Sequence, residues 1–222
     1  MRPLQQTDFT PALGRPEFTA AYDLAIRLLT RERRWRSFLL RHVAPQDGET
    51  ILDVGCGTGT FAIMLKQLAP GARIIGLDPD ATVLRIAADK AAKAGVAVEW
   101  KQGFAHDAPR IAGQVDKAVS SLVFHQVALE EKRAGVAAMW DTLTPGGAAY
   151  IADYALQPGI IDKLLFRATV QFLDGISDTQ PNADGVLERI IESINGKPAN
   201  ALEIVPTATG KISLFELRKL YG

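Results

Sequence analysis

From Thr50 onward, short apolar runs alternate with stretches in which apolar residues return every three or four positions. Ile51–Val54, Arg73–Leu77, Val96–Lys101, Val115–Ser120 and Ala148–Asp153 read as strands. Between them, Phe61, Leu65 and Leu68 fall on one helical face, Ala81–Ala94 forms an Ala-rich helix that Gly95 closes as a C-cap, and residues 129–142 form another. Strands alternating with helices predict βαβ units and a parallel sheet covered on both faces. Upstream, Leu24, Leu28 and Leu29, then Trp35, Phe38, Leu39 and His42, predict helices over 18–29 and 33–43, before Pro45, Asp47 and Gly48 interrupt the pattern. Downstream come helical runs near 160–174 and 184–195. Two β-like runs, Leu202–Val205 and Lys211–Leu217, flank a Pro206/Gly210 connection and read as a hairpin added to the sheet. The predicted class is α/β: a doubly wound sheet, mostly parallel with a C-terminal antiparallel hairpin strand, plus an N-terminal helical cap. Residues 1–45 form the cap, and 46–222 the main domain with a helical insert near 155–200.

Composition narrows the function. The 222 residues carry 25 basic and 25 acidic side chains, and 47% are apolar, as in an ordinary globular domain. One cysteine excludes an internal disulfide framework and a Cys-rich zinc site, and no metal site is expected. With no apolar leader and no run of 18 apolar residues, neither a secretory signal nor a transmembrane segment is expected, and a cytoplasmic location follows. The neutral total hides an asymmetry. Residues 1–45 hold eight arginines against four acids, a net of +4, and the rest holds 17 basic against 21 acidic residues, a net of −4. The cluster Arg31-Glu32-Arg33-Arg34-Trp35-Arg36 reads first as a solvated helix face, and leaves peripheral contact with an anionic membrane open. The chain as a whole lacks the positive field of a nucleic-acid binder.

The chemistry concentrates in one loop. In a doubly wound sheet, ligands sit outside the carboxyl ends of the strands. The first strand ends in Asp53-Val54-Gly55-Cys56-Gly57-Thr58-Gly59, where glycines allow a tight turn and a close backbone approach. The second strand ends in Asp78, placed to accept hydrogen bonds from both ribose hydroxyls of a nucleoside. Thr60 stands where a dinucleotide fingerprint wants glycine, and no Lys-Ser or Lys-Thr follows as a P-loop requires. Asp53 would repel a pyrophosphate but could face an ammonium. The loop therefore suits a nucleoside that carries an amino acid.

These residues resemble the class I S-adenosylmethionine-dependent methyltransferases. Ile51–Gly59 matches the family's first motif, Gly76-Leu77-Asp78-Pro79-Asp80 the second-strand motif, Val115–His125 the fourth strand and its loop, and Leu143-Thr144-Pro145-Gly146-Gly147 the turn before the fifth strand. The resemblance covers about residues 50–155 and implies a Rossmann-like fold with S-adenosylmethionine as cofactor. It implies that Asp53 and the backbone of Gly55, Cys56, Gly57 and Gly59 hold the methionine part. Asp78 would bind the ribose, Leu77 and Pro79 would flank the adenine, and Ser121, Leu122 and Val123 would line the region near the sulfur. The third-strand motif departs from the family: Gly103-Phe104-Ala105 lacks the usual acid. Phe104 would then stack on the adenine, and Asp107 would either replace the lost contact or cap a helix.

Methyl transfer needs orientation and a water-poor pocket more than a catalytic constellation. His125 is the best candidate base, but it reads first as a histidine that orients its loop by hydrogen bonding. Asp153 is a candidate pocket residue, and Tyr22 could close over the sulfonium or simply pack. No Asn/Asp-Pro-Pro-Tyr run follows strand four, so the acceptor is expected to be a small molecule, apolar or lipid-like, rather than a flipped base. Phe166, Phe172, Leu164, Leu165 and Leu173 make the insert partly apolar, which also fits plain core packing. A non-catalytic nucleoside sensor or partner subunit of the same fold is the alternative.

Overall fold

The structure, a computed structural model, describes residues 31–221. The predicted helix over 18–29, and Tyr22 with it, lie outside the described residues. The first described helix, α1 (Glu32–Val43), buries Trp35 and Leu39 of the predicted stripe together with Val43, while Phe38 and His42 are half-buried. The βα alternation follows: β1 (Thr50–Val54), α2 (Thr60–Leu68), β2 (Arg73–Asp78), α3 (Ala81–Lys93), β3 (Glu99–Gln102), α4 (Ala108–Ala112), β4 (Val115–Ser121), α5 (Leu129–Thr142) and β5 (Leu143–Tyr154). Four insert helices come next, α6 (Ile160–Ala168), α7 (Val170–Asp174), α8 (Ile176–Ala183) and α9 (Val186–Asn195), then β6 (Glu203–Thr207) and β7 (Gly210–Arg218).

The seven strands form one sheet in the order β3-β2-β1-β4-β5-β7-β6. The first five pair in parallel, and β7 runs antiparallel to both β5 and β6. This is the mostly parallel, Rossmann-like sheet expected, and the C-terminal hairpin supplies its antiparallel edge. The order reverses between β1 and β4, which opens a crevice at their carboxyl ends. Both faces are covered, so the interior of β1 from Ile51 to Val54 is apolar except at Asp53. Ile51 packs with Trp35, Phe61, Leu65 and Tyr150 on one side, and Leu52 and Val54 pack with Phe124, Met139 and Leu187 on the other.

Three details depart from the periodicity. β3 begins at Glu99 rather than Val96, because Gly95 turns left-handed at φ 68° and the Val96 N–H closes the preceding helix on the Ala91 carbonyl at 3.1 Å. The helical run 160–174 breaks at Thr169, whose φ and ψ are −121° and −77°. A helix over Ile176–Ala183, between the two predicted helical runs, contains Pro181.

Candidate functional site

The loop from β1 to α2 crosses the crevice. The Leu77 carbonyl accepts from the Gly55 and Cys56 N–H groups at 2.8 and 3.1 Å, which fastens the loop to the end of β2. Gly55, Gly57 and Gly59 have φ of 68°, 51° and 73°, the left-handed region that other residues enter at a cost of about 1–2 kcal/mol. Space matters as well as conformation. A Cβ on Gly55 would stand 2.3 Å from Val123 Cγ2, and one on Gly59 would stand 2.4 Å from the Trp100 ring, whereas Gly57 faces open space. Lys90 braces the loop from α3, donating to the hydroxyls of Thr58 at 3.0 Å and Thr60 at 2.6 Å.

Two carboxylates flank this open backbone. Asp78 is half-buried. One of its oxygens accepts from Gly57 N and the other from Asp80 N, both at 2.9 Å, and each keeps a lone pair for a further donor. Burial raises its pKa. Asp53 is 1% exposed, and among the described residues neither of its oxygens has a hydrogen-bond partner. Burial lifts its carboxyl to about 7, with the positive charge of Arg36 opposing and Asp78 adding to the rise. A buried carboxylate without a donor is costly, and a bound ammonium would relieve that cost. Asp53 for an ammonium, Asp78 for ribose hydroxyls and the open face at Gly57 therefore fit an amino-acid-bearing nucleoside such as S-adenosylmethionine. Cys56 is buried under the loop, and burial with the two nearby acids pushes its thiol far up, so it is not a nucleophile.

On the other side of the crevice, the segment after β4 is held by a saturated polar network. Leu122 sits at φ 57°, a strained position for a branched side chain. Asp153, fully buried at the end of β5, compensates. One oxygen accepts from Val123 N at 3.0 Å and Phe124 N at 2.6 Å, and the other from Tyr154 N and His125 Nδ1, both at 2.7 Å. The second imidazole nitrogen of His125 lies 3.5 Å from Asp174 at the end of α7. Burial lowers the pKa of His125, but Asp153 and Asp174 together raise it further, to about 9. Lys132, also buried, donates to the carbonyls of Phe124, His125 at 3.2 Å, Val127 at 2.6 Å and Asp178 at 2.8 Å. Two cations thus tie the segment after β4 to the insert.

The structure brings most of the anticipated residues to one crevice and corrects several roles. Asp53, Gly55, Gly57, Gly59, Asp78, Pro79, Gly103, Ser121 and Val123 gather at the carboxyl ends of β1 to β4. Leu77 does not line the crevice. It is fully buried, with its Cδ1 against the position of Gly103, and only its carbonyl serves the loop. His125 is not a free base, since both ring nitrogens face carboxylates. Asp153 is not a pocket wall, since backbone and His125 donors saturate it. Phe104 stacks on His106 with centroids 5.6 Å apart, and its N–H is held by Asp107 at 3.1 Å, which gives Asp107 a local structural task. Sequence reasoning left Arg36 on a solvated face; it turns inward beside Trp35, pairs with Glu32 of its own helix, and its charge opposes the rise at Asp53, while Arg31, Arg33 and Arg34 are exposed. Its place next to the buried Trp35 is the signal that could have found it. Lys132, Asp174 and Trp100 carried no motif.

Comparison with known proteins identifies the family and the fold. A family model described as a methyltransferase domain matches residues 51–147. The demethylmenaquinone methyltransferase of Thermus thermophilus is 30% identical over 208 residues, covering 90% of this chain and 92% of that one. Among solved structures, a geranyl diphosphate methyltransferase in complex with SAM superposes with a TM-score of 0.65 at 19% identity, covering 94% of each chain. The magnesium protoporphyrin IX methyltransferase of Synechocystis with bound SAH gives 0.67 at 15% identity, covering 90% of this chain and 95% of that one.

Proposed function

The chain belongs to the S-adenosylmethionine-dependent methyltransferases, and from that premise we propose that its acceptor is a small, apolar, electron-rich ring compound of the quinone-precursor type. Family membership favours an enzyme over a non-catalytic nucleoside sensor. The cofactor supplies a methyl group on a sulfonium, electrophilic without help from the protein. What this chain adds is grip and exclusion of water. Asp53 would receive the ammonium, the backbone around Gly57 the amino-acid end, and Asp78 the ribose hydroxyls. Ser121, Leu122 and Val123 would fix the height of the sulfur side of the cleft through the anchoring of Asp153.

One observation carries the acceptor class. The imidazole beside the cleft is held between two carboxylates and stays protonated at neutral pH, so it cannot take a proton from an acceptor. An acceptor that arrives already nucleophilic, such as a quinol whose hydroxyls enrich the ring, attacks the methyl without first losing a proton to His125; the S–CH3 bonding pair stays on the departing thioether, and the ring proton displaced by the new C–C bond passes to water. The near full-length similarity to a demethylmenaquinone methyltransferase supports the same class. The test is incubation with methyl-tritiated S-adenosylmethionine and, in parallel, a prenylated naphthoquinol, a catechol and a phosphatidylethanolamine. Label in the naphthoquinol alone is expected. Turnover confined to either of the others contradicts the reading.

A further inference from the structure

Among the described residues, the insert buries one face and leaves the other bare. Phe166, Val170, Gln171 and Thr179 point into the body. Ile160, Ile161, Leu164, Phe172, Leu173 and Ile176 stay exposed, Ile160 at 80% and Phe172 at 83%. Ile160, Leu164 and Ala168 follow one another at four-residue spacing on one side of α6 and are all exposed, and Phe172 and Leu173 on α7 and Ile176 at the start of α8 are exposed beyond it. α6 contacts α7 and α7 contacts α8, so these residues make one surface rather than scattered points. A contiguous apolar patch of this kind marks a contact with a partner or a membrane.

Charge selects the occupant. Lys163 and Arg167, four residues apart on α6, are exposed at the flank of the stripe, and neither meets a carboxylate among the described residues. Two acids of the same stretch are engaged elsewhere, Asp162 with Lys211 at 2.7 Å and Asp174 with His125 at 3.5 Å. An anionic lipid surface would satisfy both the apolar stripe and its cations. No helix among the described residues is long and apolar enough to cross a membrane, so such contact would lie in the interface plane.

We propose that the outer face of α6 to α8 docks on an anionic phospholipid bilayer. Phe172 and its apolar neighbours enter the acyl boundary while Lys163 and Arg167 meet phosphate headgroups. The use of this contact rests on the lipid-like acceptor reading above: it brings the mouth of the cleft to the phase in which such an acceptor dissolves. The docking itself does not depend on it.

The test is co-sedimentation of the full chain with phosphatidylcholine vesicles, with and without phosphatidylglycerol. Binding that needs phosphatidylglycerol and weakens with salt is expected. The combined variant Ile161→Ser, Leu164→Ser and Phe172→Ser should lose more than tenfold in partitioning, and Lys163→Glu with Arg167→Glu should lose the part that depends on phosphatidylglycerol. Both should keep the wild-type melting temperature and S-adenosylhomocysteine affinity, because these side chains are exposed. Failure of wild type to bind, or equal binding by the serine variant, overturns the proposal. So does a concentration-dependent dimer that the serine variant abolishes, which would assign the face to a second copy. Vesicle binding is read without any acceptor, so failure of the acceptor reading shows up separately in the labelling assay.

Discussion

Asp153→Asn removes one acceptor oxygen at the point where the segment after β4 is anchored. The carboxylate receives four donors, two on each oxygen. An amide keeps one oxygen, so two buried donors lose their acceptor at about 1–3 kcal/mol each. If the amide nitrogen faces His125, a buried cation also loses its nearer partner, and the total comes to about 3–5 kcal/mol, a large share of a typical stability of about 5–15 kcal/mol. The pH dependence gives an independent reading. The pKa of His125 is raised from 6.5 to about 9 in the folded protein. Its stabilisation is therefore fully present below pH 6.5 and is lost as pH rises through 9, about 3 kcal/mol in all with roughly half gone by pH 8. Lys132, lowered to about 8 by burial, acts in the opposite sense at higher pH, so the informative quantity is the difference between wild type and variant. Urea unfolding at pH 6 to 9 should show the wild-type advantage over His125→Gln shrinking across this window, and Asp153→Asn should be destabilised by several kcal/mol at pH 6. Proton NMR should place the titration of His125 well above 6.5. A His125 resonance titrating near 6.5, or an Asp153→Asn variant as stable as wild type, would refute the description of His125 as a carboxylate-held cation and restore it as a candidate base.

Asp78→Ala should weaken S-adenosylhomocysteine binding by on the order of 100-fold, the worth of two hydrogen bonds to a charged group, and calorimetry showing normal affinity would remove Asp78 from the site. Asp53 titrates near 7 in the folded chain, and an ammonium beside it would lower that value. Affinity for S-adenosylhomocysteine should therefore rise with pH through about 7, with proton uptake by the buffer on binding at pH 6, and calorimetry in buffers of different ionisation heat checks both. Gly55→Ala meets Val123 Cγ2 at 2.3 Å from a left-handed backbone position, so it should cost about 2 kcal/mol or more and most of the cofactor affinity. Adding Val123→Ala should recover the steric part but not the conformational part, and no recovery at all would mean that the two residues do not touch.

The sheet was legible because each parallel strand, buried on both faces, has to be an apolar run, and each covering helix has to repeat its apolar residues at three and four. The glycine loop was legible too, since left-handed turns and close approaches admit few other residues, and Asp53 and Asp78 sit beside those glycines in sequence. What the sequence misread has a common cause. His125, Asp153 and Asp174 are 28 and 21 residues apart along the chain, and nothing local says that strand five delivers a carboxylate to one side of the imidazole while the insert delivers another to the opposite side. Read alone, a histidine after strand four orients its loop or serves as a base; between two buried carboxylates it is a fixed cation. The same holds for Lys132, whose four carbonyl partners come from the segment after β4 and from α8, and for Arg36, which turns inward from an otherwise solvated cluster and whose charge opposes the rise at Asp53. Local pattern thus determined the elements, the fold class and the loop that would receive the nucleoside. Protonation state, the partners of buried charges and the bare outer face of the insert were decided only by tertiary structure, because electrostatic energies depend on distance and burial in space, and the spacing of residues along a chain constrains neither.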